Sequence, residues 1–406
     1  MKSLRNLYRI GRGPSSSHTI GPERASLFLK NKYPNAISGE VILYGSLAFT
    51  GKGHLTDKVI EETFAPIPIK VIFDYKTKVS FPNTFDITLH FTNQDDISRR
   101  VYSLGGGAIK IENEIEENEN DVYPQKNFQE IKEFCIRNNI SLPQYVEYYE
   151  GKDIWEFLKN VWDQMCKTIQ VGMINTGELP GKLHIQRRAN SFLNPSHLKE
   201  SSFSRSNRMI DAYAFATNEE NACGHVVVTA PTCGSAGTLP AVLMHLVDRY
   251  EYSDDKIIRA LAIAGVIGNV VKSNGSISGA EAGCQAEIGT ACSMAAAATS
   301  YLKGFSIDQI ECAAEAAMEH SLGLTCDPVE GYVQIPCIER NAIAATKALA
   351  STYLAEYASS SHRVSFDTIV QTMLDTGKDL KTKYRETAKG GLAKDYMLQN
   401  KKKKRN

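Results

Sequence analysis

Apolar and polar residues alternate without a break along "DITLHFT", residues 86–92, which is the period of two that a half-buried strand needs. "EVILYGSLAF" (40–49) and "IKVIFDY" (69–75) are rich in β-formers and predict two more strands. "RRVYSLGGGAIKIE" (99–112) reads as a strand interrupted by three glycines. Two stretches of this region have helical spacing: "GPERASLFLKNKYP" (21–34), with Pro22 in the first turn, and "DKVIEETFA" (57–65). After residue 127 the period changes to 3.6. "FQEIKEFCIRN", "DIWEFLKNVWDQMCKTIQ", "SNRMIDAYAFATNEENA", "DKIIRALAIAGVIGNVV", "AEIGTACSMAAAATSYLKG", "IDQIECAAEAAMEHSLG" and "IERNAIAATKALASTYLAEYA" all predict helices. Several are Ala-rich with few charges, the composition of helices buried on most sides. Alternating βα units are absent, which argues against a doubly wound parallel sheet.

The pattern therefore predicts an α+β N-terminal domain with a small β-sheet over residues 1–112, joined to an all-α domain over 127–395. Between them "ENEIEENENDVYPQ" is acidic, Asn-rich and poor in apolar residues, and residues 113–126 read as a solvated linker. Residues 396–406, ending in "KKKKRN", read as a disordered basic tail.

Charge narrows the function classes. Lys and Arg together number 46 and so do Asp and Glu, which gives no support for a nucleic-acid or membrane-surface partner. No apolar run approaches a membrane span, and "MKSLRNLYRIGRGP" lacks the apolar core of a signal peptide, so a cytoplasmic protein is expected. Nine cysteines, an odd number, argue against a disulfide framework.

Cys135 and Cys166 fall at apolar helical positions and read as buried thiols. Cys326 and Cys337 flank "DPVEGYVQIP", a turn-rich segment, and Cys292 lies in a predicted buried helix. Their spacing matches neither zinc knuckles nor ferredoxin runs, and alone it favours reduced thiols over a three-cysteine iron–sulfur site. The loop shifts that balance, because Pro328 and Pro336 stiffen the backbone near Cys326 and Cys337. Cys284, eight residues before Cys292, falls on the same face of a continuous helix. It is read as a packing residue beside the site, with a fourth thiolate the alternative.

Two polar loops add candidate chemistry. "GPSSSHTIGP" (13–22) precedes a helix N-terminus, where free N–H groups and the helix dipole favour an anion. Ser15, Ser16, Ser17 and Thr19 add hydroxyl donors, and His18 is a base or a further donor; the plain alternative is a polar capping loop. "TGKGHLTD" (50–57) offers Lys52, His54 and Asp57, the last either orienting His54 or capping the next helix. "TAPTCGSAG" and "SLGGGAI" are Gly-rich but fit no phosphate-binding fingerprint.

Taken together, "GPSSSHTIGP", "YGSLAFTGKGH", "SLGGGAI", "TAPTCGSAGTLPAVL", "SGAEAGCQAEIGTACSMAAA", "MEHSLGLTCDPVEGYVQIPCIERNAIAA" and "KYRETAKGGLA" resemble the single-chain iron–sulfur-dependent L-serine dehydratases, in family order and over nearly the whole chain. The resemblance implies a β-type N-terminal domain and a helical catalytic domain carrying a [4Fe–4S] cluster on Cys292, Cys326 and Cys337. It implies an oxygen-sensitive carbon–oxygen lyase of amino-acid degradation and gluconeogenesis that turns L-serine into pyruvate and ammonia, and a homo-oligomer, expected as a dimer. It further implies an open iron acting as a Lewis acid, with His54 as first choice of base and His18 as second. Ser15, Ser16, Ser17, Thr19 and Lys52 would hold the substrate, in a site between the domains. The chain departs from the family pattern at Cys233, where an asparagine is expected, and in its acidic linker. Alternatives are a cysteine-desulfidase-type lyase, a non-catalytic iron–sulfur redox sensor, and a pyridoxal-phosphate dehydratase. The last lacks a serine-and-lysine segment beside its glycine loop.

Overall fold

Eight strands and fifteen helices make up a computed structural model that describes residues 1–116, 121–193 and 199–403. The strands are β1 Ile10–Arg12, β2 Ser38–Leu43, β3 Ile69–Phe73, β4 Thr84–His90, β5 Ile97–Gly105, β6 Ala108–Ile111, β7 Ile115–Glu116 and β8 Val226–Val228. The helices of the first part are α1 Gly21–Lys32, α2 Gly45–Thr50 and α3 Thr56–Phe64. Those of the second are α4 Phe128–Asn138, α5 Leu142–Glu150, α6 Ile154–Ile174, α7 Ser202–Ala222, α8 Thr238–Tyr250, α9 Asp254–Asn274, α10 Gly279–Ala282, α11 Thr290–Leu302, α12 Ile307–Glu319, α13 Cys337–Ala358, α14 Phe366–Asp379 and α15 Gly391–Lys403. The α+β region joined to a mostly helical region is the fold class the sequence predicts.

One six-stranded sheet has the order β3-β2-β4-β5-β6-β7, and only β2 and β3 run parallel, joined across α2 and α3. Its alternating inward residues Val41, Leu43, Phe85, Ile87, Leu89 and Val101 pack with Leu29 of α1 and Ile60 and Phe64 of α3. Each such side chain contributes about 1.5–3 kcal/mol of burial. The second core is helical. Within it α11 packs against α8, α9, α12 and α13, and its Ala-rich sequence lets those neighbours approach closely. Leu4, Leu7 and Tyr8 belong to this helical core, not to the sheet.

Four expectations need correction. The strand expected over 40–49 stops at Leu43, because Gly45 takes a φ of +50° and turns the chain into α2. The interrupted strand over 99–112 is a hairpin, since Gly105, Gly106 and Gly107 all have positive φ and reverse the chain between β5 and β6. The acidic stretch is not wholly solvated: β7 extends the sheet, and Tyr123 is buried and stacked on Tyr145. Residues 117–120 of it lie outside the described residues. The tail expected to be disordered is helical through Lys403. The helical region also contains β8, which pairs antiparallel with β1.

Burial of one carboxyl sets an expected pH dependence. Glu315 of α12 is buried beside Glu311 and Glu319, and burial followed by those two charges raises its carboxyl from 4.5 to about 7. Its folded form binds a proton more tightly than its unfolded form, so stability falls as pH rises between these values. Glu315→Gln is expected to raise the Tm at pH 8 by at least about 2 °C and to change it little at pH 4. Calorimetry at the two pH values checks this, and a Tm gain equal at both would reject the carboxyl as its source.

Candidate active site between the sheet region and the helical region

The "SSSHT" segment is a π turn, Ser16–Ile20, that runs directly into α1, so it is the first turn of a helix and not the loop expected. Ser15 caps it, its Oγ accepting from His18 N at 3.1 Å. His18 is fully buried and lies edge-on to His54, with ring centroids 4.4 Å apart. Two threonines lock the pair: Thr19 Oγ1 donates to His54 O at 2.8 Å, and Thr56 Oγ1 donates to His18 O at 2.6 Å.

The hydrogen bonds assign the His18 tautomer. Ser46 Oγ spends its one proton on Glu386 O at 2.9 Å, so at 3.1 Å it accepts from His18 Nε2–H. His18 Nδ1 then accepts from Ser17 Oγ at 2.9 Å. Both nitrogens of His18 are used. By contrast, the buried Nδ1 of His54 has no hydrogen-bond partner. Burial pushes His18 down to about 3, and burial together with His18 holds His54 well below the ordinary imidazole range. Both rings are neutral at pH 7, and the free nitrogen of His54 is able to accept a proton.

The cysteine segment approaches from the helical side. Gly53, next to His54, packs on Gly331 so closely that a Cβ there would meet Gly331 O at 2.5 Å. The C-terminal strand-like segment closes the third side: Cys326 N donates to Tyr384 O at 2.8 Å, and Glu386 N donates to Cys326 O at 2.7 Å. Glu386 Oε1 stands 3.7 Å from His18 Nδ1, and His18, His54 and Glu386 form one buried group. Leu55, Glu330, Glu386 and Ala388, all beside these residues, hold left-handed backbone that non-glycine residues disfavour. A cavity of about 940 Å³ opens against the cluster, lined by Ser46, Asn83, Ser278, Ala280, Arg385 and Lys389 among others.

The expected cysteine set is only partly assembled. Cys326 and Cys337 interact with each other and with Cys284, and Arg340 hydrogen-bonds Cys284. Cys292 is not among them: it is sealed inside α11, its Sγ donates to Ala344 O at 3.2 Å, and its one charged neighbour is Lys347. The cause is a second π turn, Gln285–Gly289, between Cys284 and α11. Its wider winding breaks the continuous helix on which the two cysteines would share a face. Lys52 is also misplaced by the sequence reading; it is exposed and lies over the Phe73 ring, 5.3 Å from its centroid. Asp57 does not orient His54; its Oδ1 accepts from Lys58 N at the start of α3. Ser15, Ser16, Ser17 and Thr19 are all buried at the histidines. Cys233 packs in a small apolar cluster with Ile20, Val227 and Ala236.

Residues that the sequence reading did not select complete the site: Ser46, Thr232, Glu287, Arg340 and Glu386. Their segments "YGSLAFTGKGH", "TAPTCGSAGTLPAVL", "SGAEAGCQAEIG" and "KYRETAKGGLA" were recognisable, but nothing in them singled out one side chain. Gly279 marks where the site's sulfur and carboxyl meet. A Cβ there would lie 2.9 Å from Cys326 Sγ and 2.7 Å from Glu287 Oε2, so the bare glycine leaves space between them.

Comparison with known proteins points the same way. A family model described as serine dehydratase alpha chain matches residues 98–393, and one described as serine dehydratase beta chain matches residues 3–64. The chain is 40% identical to an L-serine dehydratase of Haemophilus influenzae, over 97% of this chain and 99% of the relative. It is 39% identical to L-serine dehydratase 1 of Escherichia coli, with the same coverage. It is 37% identical to an L-serine dehydratase of Streptomyces coelicolor, over 96% of this chain and 98% of the relative.

Proposed function

The chain belongs to the serine dehydratase family and is an enzyme, a lyase, and from that premise we propose that it eliminates water from L-serine to give pyruvate and ammonia, using a [4Fe–4S] cluster held by Cys284, Cys326 and Cys337. The observation that carries this reading is the convergence of a proton-accepting histidine, His54, with three cysteines across the contact between Gly53 and Gly331.

The residues present suit such a group. The donor set is three thiols, the ligand type of iron–sulfur clusters. Burial raises Cys326 and Cys337 well above the ordinary thiol range, so a cation is needed to keep them as thiolates. The bare face of Gly279 leaves room beside Cys326 Sγ. When bound, a cluster with only three protein thiolates supplies an open iron position that is a Lewis acid toward a hydroxyl oxygen.

The chain's own groups do the rest. Ser16, with the N–H groups that open the π turn, holds the substrate carboxylate at the positive end of the 16–32 helix. Ser15, Ser17 and Thr19 fix the turn and the two histidines through the bonds described above. His54 takes the Cα proton at Nδ1, and its neutral state keeps it available as a base. Its burial and that of His18 exclude water from the proton's path. The aminoacrylate released tautomerises to an imine, whose hydrolysis to pyruvate and ammonia needs no enzyme group. Protein purified without oxygen is expected to form pyruvate from L-serine in step with its iron content. Full iron occupancy with no pyruvate would reject the reading.

A further inference from the structure

Glu287 is placed where the mechanism above leaves one substrate group without a receptor. It sits on the π turn that follows Cys284, deep in the protein, yet part of its surface stays accessible, as in a group lining an internal recess. Its Oε1 accepts from Thr232 Oγ1 at 2.7 Å. Two glycines flank the carboxyl: a Cβ on Gly234 would lie 3.2 Å from Oε1, and one on Gly279 would lie 2.7 Å from Oε2. A side chain at either position would press on the carboxyl, so both backbones leave it open. Among the described ion pairs none includes Glu287; Arg340 acts on it electrostatically without pairing with it, and its guanidinium contacts Cys284, Thr325 O and Asp327. A buried carboxylate without an ion-pair partner is costly, and an ammonium group brought against it removes that cost.

We infer that Glu287 is the receptor for the substrate's α-ammonium group, held for that task by Thr232 and left open by Gly234 and Gly279. The inference rests on the reading of this site as a serine-eliminating one. L-serine is a zwitterion, and the π turn that begins at Ser16 accounts for its carboxylate only. Cys326, on the other side of Gly279, marks the cluster end of the recess, so an ammonium on Glu287 sets the β-hydroxyl toward the cysteines. Glu386 is the other buried carboxyl here; it interacts with Glu287, and it also stands 3.7 Å from His18 Nδ1 in the histidine group.

The test uses Glu287→Gln, which keeps the side chain's shape and the acceptor for Thr232 and removes only the charge. The probe pair is L-serine and glycerate, which has a hydroxyl in place of the ammonium. The oxygen-free enzyme is measured with its iron absorbance and Tm as controls. The KM for L-serine is expected to rise about 10- to 100-fold, the loss of a charge-assisted hydrogen bond. The inhibition constant of glycerate should stay near its wild-type value. An unchanged KM, an equal weakening of serine and glycerate, or a fall in kcat at constant KM each overturns the assignment. A serine-selective loss in Glu386→Gln and not in Glu287→Gln moves the receptor and overturns it too. These outcomes leave wild-type turnover of L-serine intact. A wild-type enzyme that does not turn over L-serine at full iron occupancy instead defeats the functional reading, and the inference with it.

Discussion

Cys284→Ser is expected to lose its iron and its turnover together, while Cys292→Ser keeps both. The two substitutions are chemically identical and eight residues apart, so the contrast is a test of geometry alone. Cys284 shares a buried space with Cys326, Cys337 and Arg340. An alkoxyl there is a poor substitute for a thiolate toward iron. Cys292 of α11 donates to Ala344 O of α13, and a serine hydroxyl repeats that donation, so the contact between the two helices is kept. Iron content by colorimetric assay, the broad visible absorbance and pyruvate formation are the three readouts. Turnover in Cys284→Ser should fall to background, and in Cys292→Ser it should stay within a few-fold of wild type. The reverse pattern, iron lost with Cys292 and kept with Cys284, would restore the set expected from the sequence.

His54→Ala is expected to lower kcat by about 10²–10⁴, the range for removing a general base. The visible absorbance should not change, because the ring is not among the proposed ligands. Exchange of the serine Cα proton with solvent deuterium should fall by a similar factor. His18→Ala provides the comparison. Both nitrogens of His18 are committed, to Ser17 and to Ser46, so its loss disturbs the π turn and Glu386 and should appear mainly in KM. If His18→Ala stops exchange while His54→Ala does not, the roles are exchanged.

The regular elements were legible wherever one periodicity runs for a whole element. "DITLHFT" gave β4 because every second residue enters one core, and the Ala-rich segments gave α11, α12 and α13. Where the period breaks, the sequence reading lost its guide. A π turn carries no hydrophobic period of its own, so Ser16–Ile20 read as a loop and Gln285–Gly289 as plain helix. The second error put Cys284 and Cys292 on one helical face, which the π turn separates. The three-residue strands β1 and β8 are too short to show alternation, and only their pairing across more than two hundred positions makes them strands. The histidines and serines were selected because they cluster in sequence. Glu287 and Glu386 were not, because each is a single acid in its segment and only folding brings it to the others.

That long-range pairing also has a bearing on the order in which the molecule is built. Strands β2 to β7 are contiguous and can pair as soon as residue 116 leaves the ribosome. β1 cannot, because its partner is Val226–Val228. Nor can Leu4, Leu7 and Tyr8 find their places before α9 exists. Closing contacts of such separation is slow compared with local pairing. The first twelve residues therefore wait, tethered to an already folded sheet, until most of the chain has been synthesised. The recess closes last of all, when Glu386 arrives against Cys326. A ribosome-stalled nascent chain that includes residue 116 but not residue 226 should already protect the sheet from protease and leave residues 1–12 open to it.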